Sequence, residues 1–191
     1  MSESLPRALD VRALADAGAA LTGSASLDQF PRLADLAAES HADAALRQSL
    51  GPVRWSAQFS LQRVTGAVDQ PALHLQVDAQ LPLECQRCIA PYAQALHVDR
   101  DFVFAADEAT AQLLDEDSDI DVLVISRQFD LVALIEDELL MDTPIVPMHE
   151  QCPTTVAMQA GEVQEQAERP NPFAALAALK VADKGPGGSV H

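Results

Sequence analysis

Apolar and polar residues alternate along the middle of the chain, and this alternation restricts its fold more than any other feature. Runs of apolar residues at every second position lie within residues 53–64 (Trp55, Ala57, Phe59 and Leu61), 73–81 and, with an interruption at Arg100, 93–105 (Leu96, Val98, Phe102 and Phe104). Successive side chains of a β-strand point to opposite faces, so a period of two predicts strands with one buried face and one face in water. The first two runs, separated by a turn near Gly66, predict an antiparallel hairpin with a long loop.

A helical period follows the strands. An acidic segment leads to a short predicted strand at residues 120–125, and Asp130 then has the position of a helix N-cap. A helix is predicted over residues 131–141, because apolar residues recur there at helical spacing and Pro144 disfavours a helical conformation in the residue before it. The apolar face consists of Leu131, Leu134, Ile135 and Leu139. We therefore predict an α+β fold with a mostly antiparallel β core, a packed C-terminal helix and peripheral N-terminal helical pieces.

Changes in composition and in the spacing of apolar residues along the chain predict three segments. Residues 1–50 form an N-terminal extension with short helices, because helical spacing of apolar residues occurs there only over brief stretches. Residues 51–152 form the β-rich core with the helix at 131–141. Residues 153–191 form a polar, mobile linker followed by a short helix that begins at Asn171-Pro172.

The charge of the chain limits its partners. The 191 residues include 29 Asp and Glu against 12 Lys and Arg, which gives a formal net charge of -17. Non-specific affinity for nucleic acid comes from Lys and Arg at the phosphates, so broad coating of RNA is disfavoured, whereas a local basic patch or a basic protein partner is compatible with this composition. There is no apolar run of about 18 residues and no signal-peptide pattern, so we expect a cytoplasmic protein with no membrane partner.

Three cysteines and one histidine occur as two pairs with the same spacing. Cys85 and Cys88 lie where one predicted strand ends and the next begins, and His149 and Cys152 lie just beyond the predicted helix. Together they supply four ligands for tetrahedral zinc, which would fasten the helix exit to the sheet. The alternative is three reduced cysteines and a surface histidine. A thioredoxin-like redox site is disfavoured because the sequence lacks the βαβ context.

Two groups of carboxylates are further candidates. The segment 115–121 has acidic residues at every second position, like the start of a calcium loop, but Ile120 and Ser126 stand where such a loop needs glycine and glutamate. We therefore predict a solvated acidic loop that attracts a basic partner. The run Glu136-Asp137-Glu138, with Asp142, suggests acid–base or metal-dependent hydrolytic chemistry. Neighbours on a helix point to different faces, however, which favours a solvated helix face.

Two stretches of the chain resemble a known family. The first is Leu83-Glu84-Cys85-Gln86-Arg87-Cys88. The second runs from the acidic-aliphatic helix at 130–141 into a Pro-x-x-Pro exit and a final His and Cys at 144–152. Both resemble the YceD family of large ribosomal RNA subunit accumulation proteins, and the tail at 171–176 is similar to the C-terminal segment of that family.

The resemblance implies a role in the synthesis, processing or stability of 23S ribosomal RNA in bacteria, and it identifies neither a catalytic step nor a metal. It covers residues 50–180, with one departure at Thr143, where a leucine is typical. We therefore predict a non-catalytic ribosome-biogenesis factor that meets large-subunit ribosomal RNA or its precursor, directly or through basic ribosomal proteins. Two alternatives stay open: a metal-dependent RNA-processing enzyme that uses Glu136, Glu138 or Asp142, and a structural zinc module that acts as an adaptor.

Overall fold

One five-stranded sheet organises the part of the chain that this computed structural model describes, residues 7–40, 44–63, 69–116 and 120–154. The strands lie in chain order: β1 Ala20–Ala25, β2 Val53–Gln62, β3 Gln70–Glu84, β4 Pro91–Ala105 and β5 Asp121–Val124. The first four pair antiparallel, and β5 pairs parallel with β4. The same residues form five α-helices: α1 Val11–Ala17, α2 Pro31–Glu39, α3 Ala44–Ser49, α4 Glu108–Glu116 and α5 Leu131–Asp142. The predicted α+β fold with a mostly antiparallel sheet is confirmed.

The alternation predicted for the long strands is present in the structure. Leu73, Leu75 and Val77 of β3 are fully buried, whereas the intervening Gln76 and Asp78 are exposed. Strands β3 and β4 have 15 residues each and pair over almost their whole length. Their hairpin is therefore the longest part of the sheet, and its closing turn lies at one end of the sheet.

Helices α2 and α5 cover the apolar face of the sheet. Helix α5 packs against β3 and β4, and α2 packs against β3 and α5. The core includes large side chains that are fully buried or nearly so: Phe30, Leu33, Phe59, Phe102, Phe104, Leu131, Ile135 and Leu139. Full burial of one such side chain contributes about 1.5–3 kcal/mol, so this layer is a major apolar contribution to stability. None of the helices described here is long and apolar enough to cross a bilayer.

Helix α5 begins where the sequence predicted it. The side chain of Asp130 accepts hydrogen bonds from the N–H groups of Val132 (3.0 Å) and Ala133 (3.1 Å), which confirms its role as N-cap. The helix ends before Thr143, whose hydroxyl donates to the carbonyl of Leu139 at 2.9 Å. Thr143 thus satisfies a carbonyl of the last turn, which the leucine typical of the family cannot do with its side chain.

The carboxylates of α5 correct the prediction of a solvated helix face, because Glu136 and Glu138 are only 5% and 6% exposed. The Glu136 carboxylate accepts hydrogen bonds from the backbone N–H groups of Arg32 (2.7 Å) and Leu33 (3.3 Å), in the first turn of α2. Glu138 lies 3.7 Å from the guanidinium of Arg100, and burial raises its pKa while Arg100 opposes that rise. Glu136 is therefore the cap of another helix, a role that the spacing of apolar residues does not reveal.

Strand β1 is an element that the sequence analysis missed, because Ala20–Ala25 has no period-two pattern of large apolar residues. Gly23 pairs with Trp55 on β2, and a Cβ atom at Gly23 would lie 2.5 Å from the Trp55 ring. The absence of a side chain at this position lets the indole lie against the strand. Fit to a neighbouring strand, and not local propensity, defines β1.

The acidic segment before β5 is partly helical, which corrects the prediction of a loop. The Asp107 side chain accepts the N–H of Thr110 at 2.8 Å, and α4 follows and includes Asp115 and Glu116. Residues 117–119 lie outside the described part of the chain, and Asp121 belongs to β5.

The N-terminal segment shares the sheet and the core with the later residues, since β1 is a strand of the sheet and α2 contributes Leu33 and Ala37 to the core. The division of the chain into residues 1–50, 51–152 and 153–191 stays a prediction. The predicted linker and short helix after residue 154 lie outside the described residues.

Replacing Glu136 by alanine is expected to lower the free energy of unfolding by about 1–3 kcal/mol, because two amides at the start of α2 lose their buried acceptor. Urea unfolding followed by circular dichroism measures the change. Asp137→Ala is the matched control on the same helix, since this carboxylate is half exposed and should cost less. Equal losses in the two variants would contradict the capping role.

Candidate metal centre

The β3–β4 hairpin closes in a tight turn that carries two of the predicted ligands, Cys85 and Cys88. The N–H of Cys85 donates to the carbonyl of Ala90 (3.0 Å), and its carbonyl accepts from the N–H of Ile89 (2.9 Å). Ile89 has a φ of 60°, in the left-handed region. This conformation costs a residue with a Cβ atom about 1–2 kcal/mol, so the turn is strained at this position.

The segment after α5 brings the other two predicted ligands to the turn. The ligand atoms of Cys85, Cys88, His149 and Cys152 all lie within 4.8 Å of one another. Cys85 Sγ is 3.9 Å from Cys152 Sγ, and Cys88 Sγ is 3.4 Å from His149 Nδ1. Tetrahedral zinc, with bonds of about 2.0–2.3 Å, separates its ligand atoms by about 3.5–3.8 Å. The four residues fit zinc in donor chemistry and in spacing.

Contacts outside the ligand atoms hold the two segments together. The N–H of Gln86 donates to the carbonyl of Pro147 at 2.9 Å, and the N–H of His149 lies 3.4 Å from Cys85 Sγ. The His149 ring packs on Tyr92, with 4.7 Å between ring centroids. Sequence analysis missed Tyr92, because its contact arises from the hairpin register and not from a spacing in the chain. The cluster is thus positioned by the protein itself.

The sulfurs differ in acidity. Burial favours the neutral thiol of Cys85, but hydrogen bonds from the backbone and side chain of His149 and from the N–H groups of Cys88 and Arg87 outweigh it and lower its pKa to about 5. Burial and the neighbouring sulfurs of Cys88 and Cys85 raise the pKa of Cys152. Negative charge therefore gathers on Cys85, and a thiolate is the form that binds metal.

The carboxylates considered for hydrolytic chemistry do not converge on one site, because each has a different partner. Glu136 caps α2, Glu138 faces Arg100, and Asp142 Oδ2 accepts the N–H of His97 at 2.9 Å. Within the described ranges, the cysteine–histidine cluster is the one group of three or more such side chains with metal-ligand spacing. The enzyme alternative therefore has no converging carboxylates in this part of the molecule.

Sequence comparison places the cluster in a family context. A family described as "Large ribosomal RNA subunit accumulation protein YceD" has a sequence model that matches residues 73–180, which include all four ligands. This chain belongs to the YceD family. A protein with the same description from Haemophilus influenzae is 34% identical over 139 residues, which cover 71% of this chain and 80% of the relative. No solved structure matches the chain. The resemblance seen in the sequence is thereby confirmed.

Metal-free, reduced protein is expected to lose one thiolate absorbance as the pH falls through about 5, because hydrogen bonds lower the pKa of Cys85 from 9.0 to about 5. The unfolded chain keeps the ordinary pKa, so this thiolate adds stability that is complete above pH 9.0 and is lost as the pH falls through about 5. Ultraviolet titration measures the step, and Cys85→Ser should abolish it. The same step in both proteins would contradict the assignment.

Proposed function

We propose that this protein is a non-catalytic binding or assembly factor that supports the accumulation of large-subunit (23S) ribosomal RNA. Membership of the YceD family carries the proposal, because the name of the H. influenzae relative refers to accumulation of the large ribosomal RNA subunit. The proposal includes a cytoplasmic location, where bacterial ribosomes assemble, and no membrane partner.

In this proposal Cys85, Cys88, His149 and Cys152 hold a structural zinc ion. Three thiolates and one imidazole complete a tetrahedral shell, and a complete shell leaves no position for a substrate or a reactive water. The ion would join two points that are 61 residues apart in the chain, Cys88 and His149. Because the free energy of metal binding adds to the free energy of folding, the expected role is to fasten the exit of α5 to the hairpin.

Charge favours basic ribosomal proteins as direct partners over bare RNA. The chain carries a net charge of -17, and the exposed face of β3 and β4 carries Asp78, Asp99 and Asp101. His97 and His74 pair with two of these carboxylates, at 2.9 Å from Asp78 and 2.8 Å from Asp101. Association through such a face accelerates encounter with a basic partner and weakens as salt screens the charges.

Purified reduced protein is expected to contain about one equivalent of tetrahedral zinc. Elemental analysis measures the content, and substitution with cobalt reports the geometry through its visible spectrum. His149→Ala should weaken metal binding and lower the thermal midpoint, because three ligands remain. His97→Ala removes an exposed histidine away from the cluster and should change neither. Metal-free protein of full stability, with freely reactive thiols, would contradict the zinc centre.

Depletion of the protein from its bacterium is expected to lower the ratio of 23S to 16S ribosomal RNA, because the proposed role concerns the large subunit alone. Quantitative RNA analysis measures the ratio, and the wild-type gene should restore it. Leu113→Ser, at an exposed position on α4, serves as the folded control and should restore it as well. An unchanged ratio after full depletion would refute the functional proposal.

A further inference from the structure

Exposed aliphatic side chains surround the candidate metal centre. Eight large apolar side chains are exposed in the described residues, and five of them lie in the hairpin turn, at the end of α5 or in the segment after it, so exposure is concentrated here. We call these five the aliphatic rim: Ile89 (63% exposed), Met141 (65%), Ile145 (100%), Val146 (55%) and Met148 (43%). A contiguous apolar patch rimmed by polar residues marks an interaction surface in soluble proteins.

Contacts within the described residues do not explain why an isoleucine stands at position 89. Its φ of 60° is a conformation that glycine adopts freely and that is an outlier for a β-branched residue. Its side chain is mostly exposed, so burial within the described residues does not compensate for the strain. The turn uses this conformation, because the N–H of Ile89 donates to the carbonyl of Cys85 at 2.9 Å, but glycine would adopt it without strain. Strain that persists at one position is a pointer to function, and here it keeps an aliphatic group at the surface.

The two halves of the aliphatic rim belong to one surface. The carbonyl of Pro147, between Val146 and Met148, accepts the N–H of Gln86 in the hairpin turn at 2.9 Å. The Arg87 guanidinium lies 3.7 Å from the Met148 sulfur. These two contacts therefore hold the turn and the exit segment side by side. Methionine side chains adapt to different apolar partners, which suits such a surface to binding.

The charges near the rim identify the chemistry of its partner. Residues 84–90 and 141–152 contain three carboxylates, Glu84, Asp142 and Glu150, and one cation, Arg87. Bound zinc would not reverse this sign, because three thiolates exceed its charge by one. Aliphatic groups offer no stacking platform for bases, and the negative field repels phosphate, so RNA fits poorly. A second copy would bring the same negative field against itself.

We propose that the aliphatic rim is the docking surface for a protein segment that carries aliphatic side chains flanked by Lys and Arg. The aliphatic side chains of that segment pack against Ile89, Val146 and Met148, and its cations face the surrounding carboxylates. This inference rests on the proposed function and names a second surface, besides the acidic face of β3 and β4, through which the factor contacts a basic protein partner.

The test is crosslinking in living cells from the full-length protein, with a photoreactive amino acid in place of Val146. The expected adduct is a protein whose crosslinked segment, located by mass spectrometry, is aliphatic and basic. The double variant Ile89→Gly and Ile145→Ser, made in the same background, should reduce the yield of this adduct at least tenfold. Leu113→Ser is the matched control, because Leu113 is equally exposed at 68% but lies on α4.

The double variant keeps the charge of the chain, so its zinc content should equal that of wild type. Because Ile89→Gly relieves backbone strain, its thermal midpoint should equal or exceed that of wild type. A loss of adduct in a fully folded variant supports docking. An undiminished adduct in that variant, or adducts to RNA, to a second copy or to residues 155–191 of the same chain, would overturn it. Failure of the proposed function gives a different result, an unchanged 23S to 16S ratio on depletion, because the crosslink does not depend on RNA levels.

Discussion

The burial of α5 against the inner face of the sheet is the contact on which the rest of the structure depends. Leu131, Ile135 and Leu139 enter the core from this helix and cover the long β3–β4 hairpin. Glu136 of the same helix caps α2, so the N-terminal part of the chain is fixed by a residue more than one hundred positions later. The exit of α5 then reaches the closing turn of the hairpin. One helix thus connects the core, the N-terminal segment and the cysteine–histidine cluster.

Two carboxylates of α5, those of Glu136 and Glu138, are buried and connect this helix to other elements. An unpaired buried charge is costly, so each needs a partner that is buried with it or donates to it. Glu136 has the free amides of α2, and Glu138 has Arg100, the residue that interrupts the apolar alternation of β4. Arg100 is half exposed and also lies 3.4 Å from Asp121, so it connects β4 to α5 and β5 from the edge of the apolar layer.

At the end of the hairpin, one set of side chains forms the candidate metal site and another set forms the exposed aliphatic surface. The sulfurs and the imidazole form a cluster of the size that zinc requires, at the place where two segments that are distant in the chain meet. The aliphatic side chains of the same segments point outward. This division suits a factor that acts by binding, because a closed ligand shell offers rigidity and not reactivity.

The sequence by itself determined the features that depend on local periods and spacings. The alternation in β2, β3 and β4 and the helical period and N-cap of α5 were readable, because each depends on local backbone geometry. The two cysteine and histidine pairs that converge in the structure were readable from their equal spacing. The family was readable for the same reason, since its motifs lie in those segments. Strand β1, the cap that Glu136 provides for α2 and the aliphatic rim were not readable. Only the tertiary structure decided them, because they depend on which residues meet across the chain: Gly23 against Trp55, Glu136 against α2, and the exit of α5 against the turn after β3.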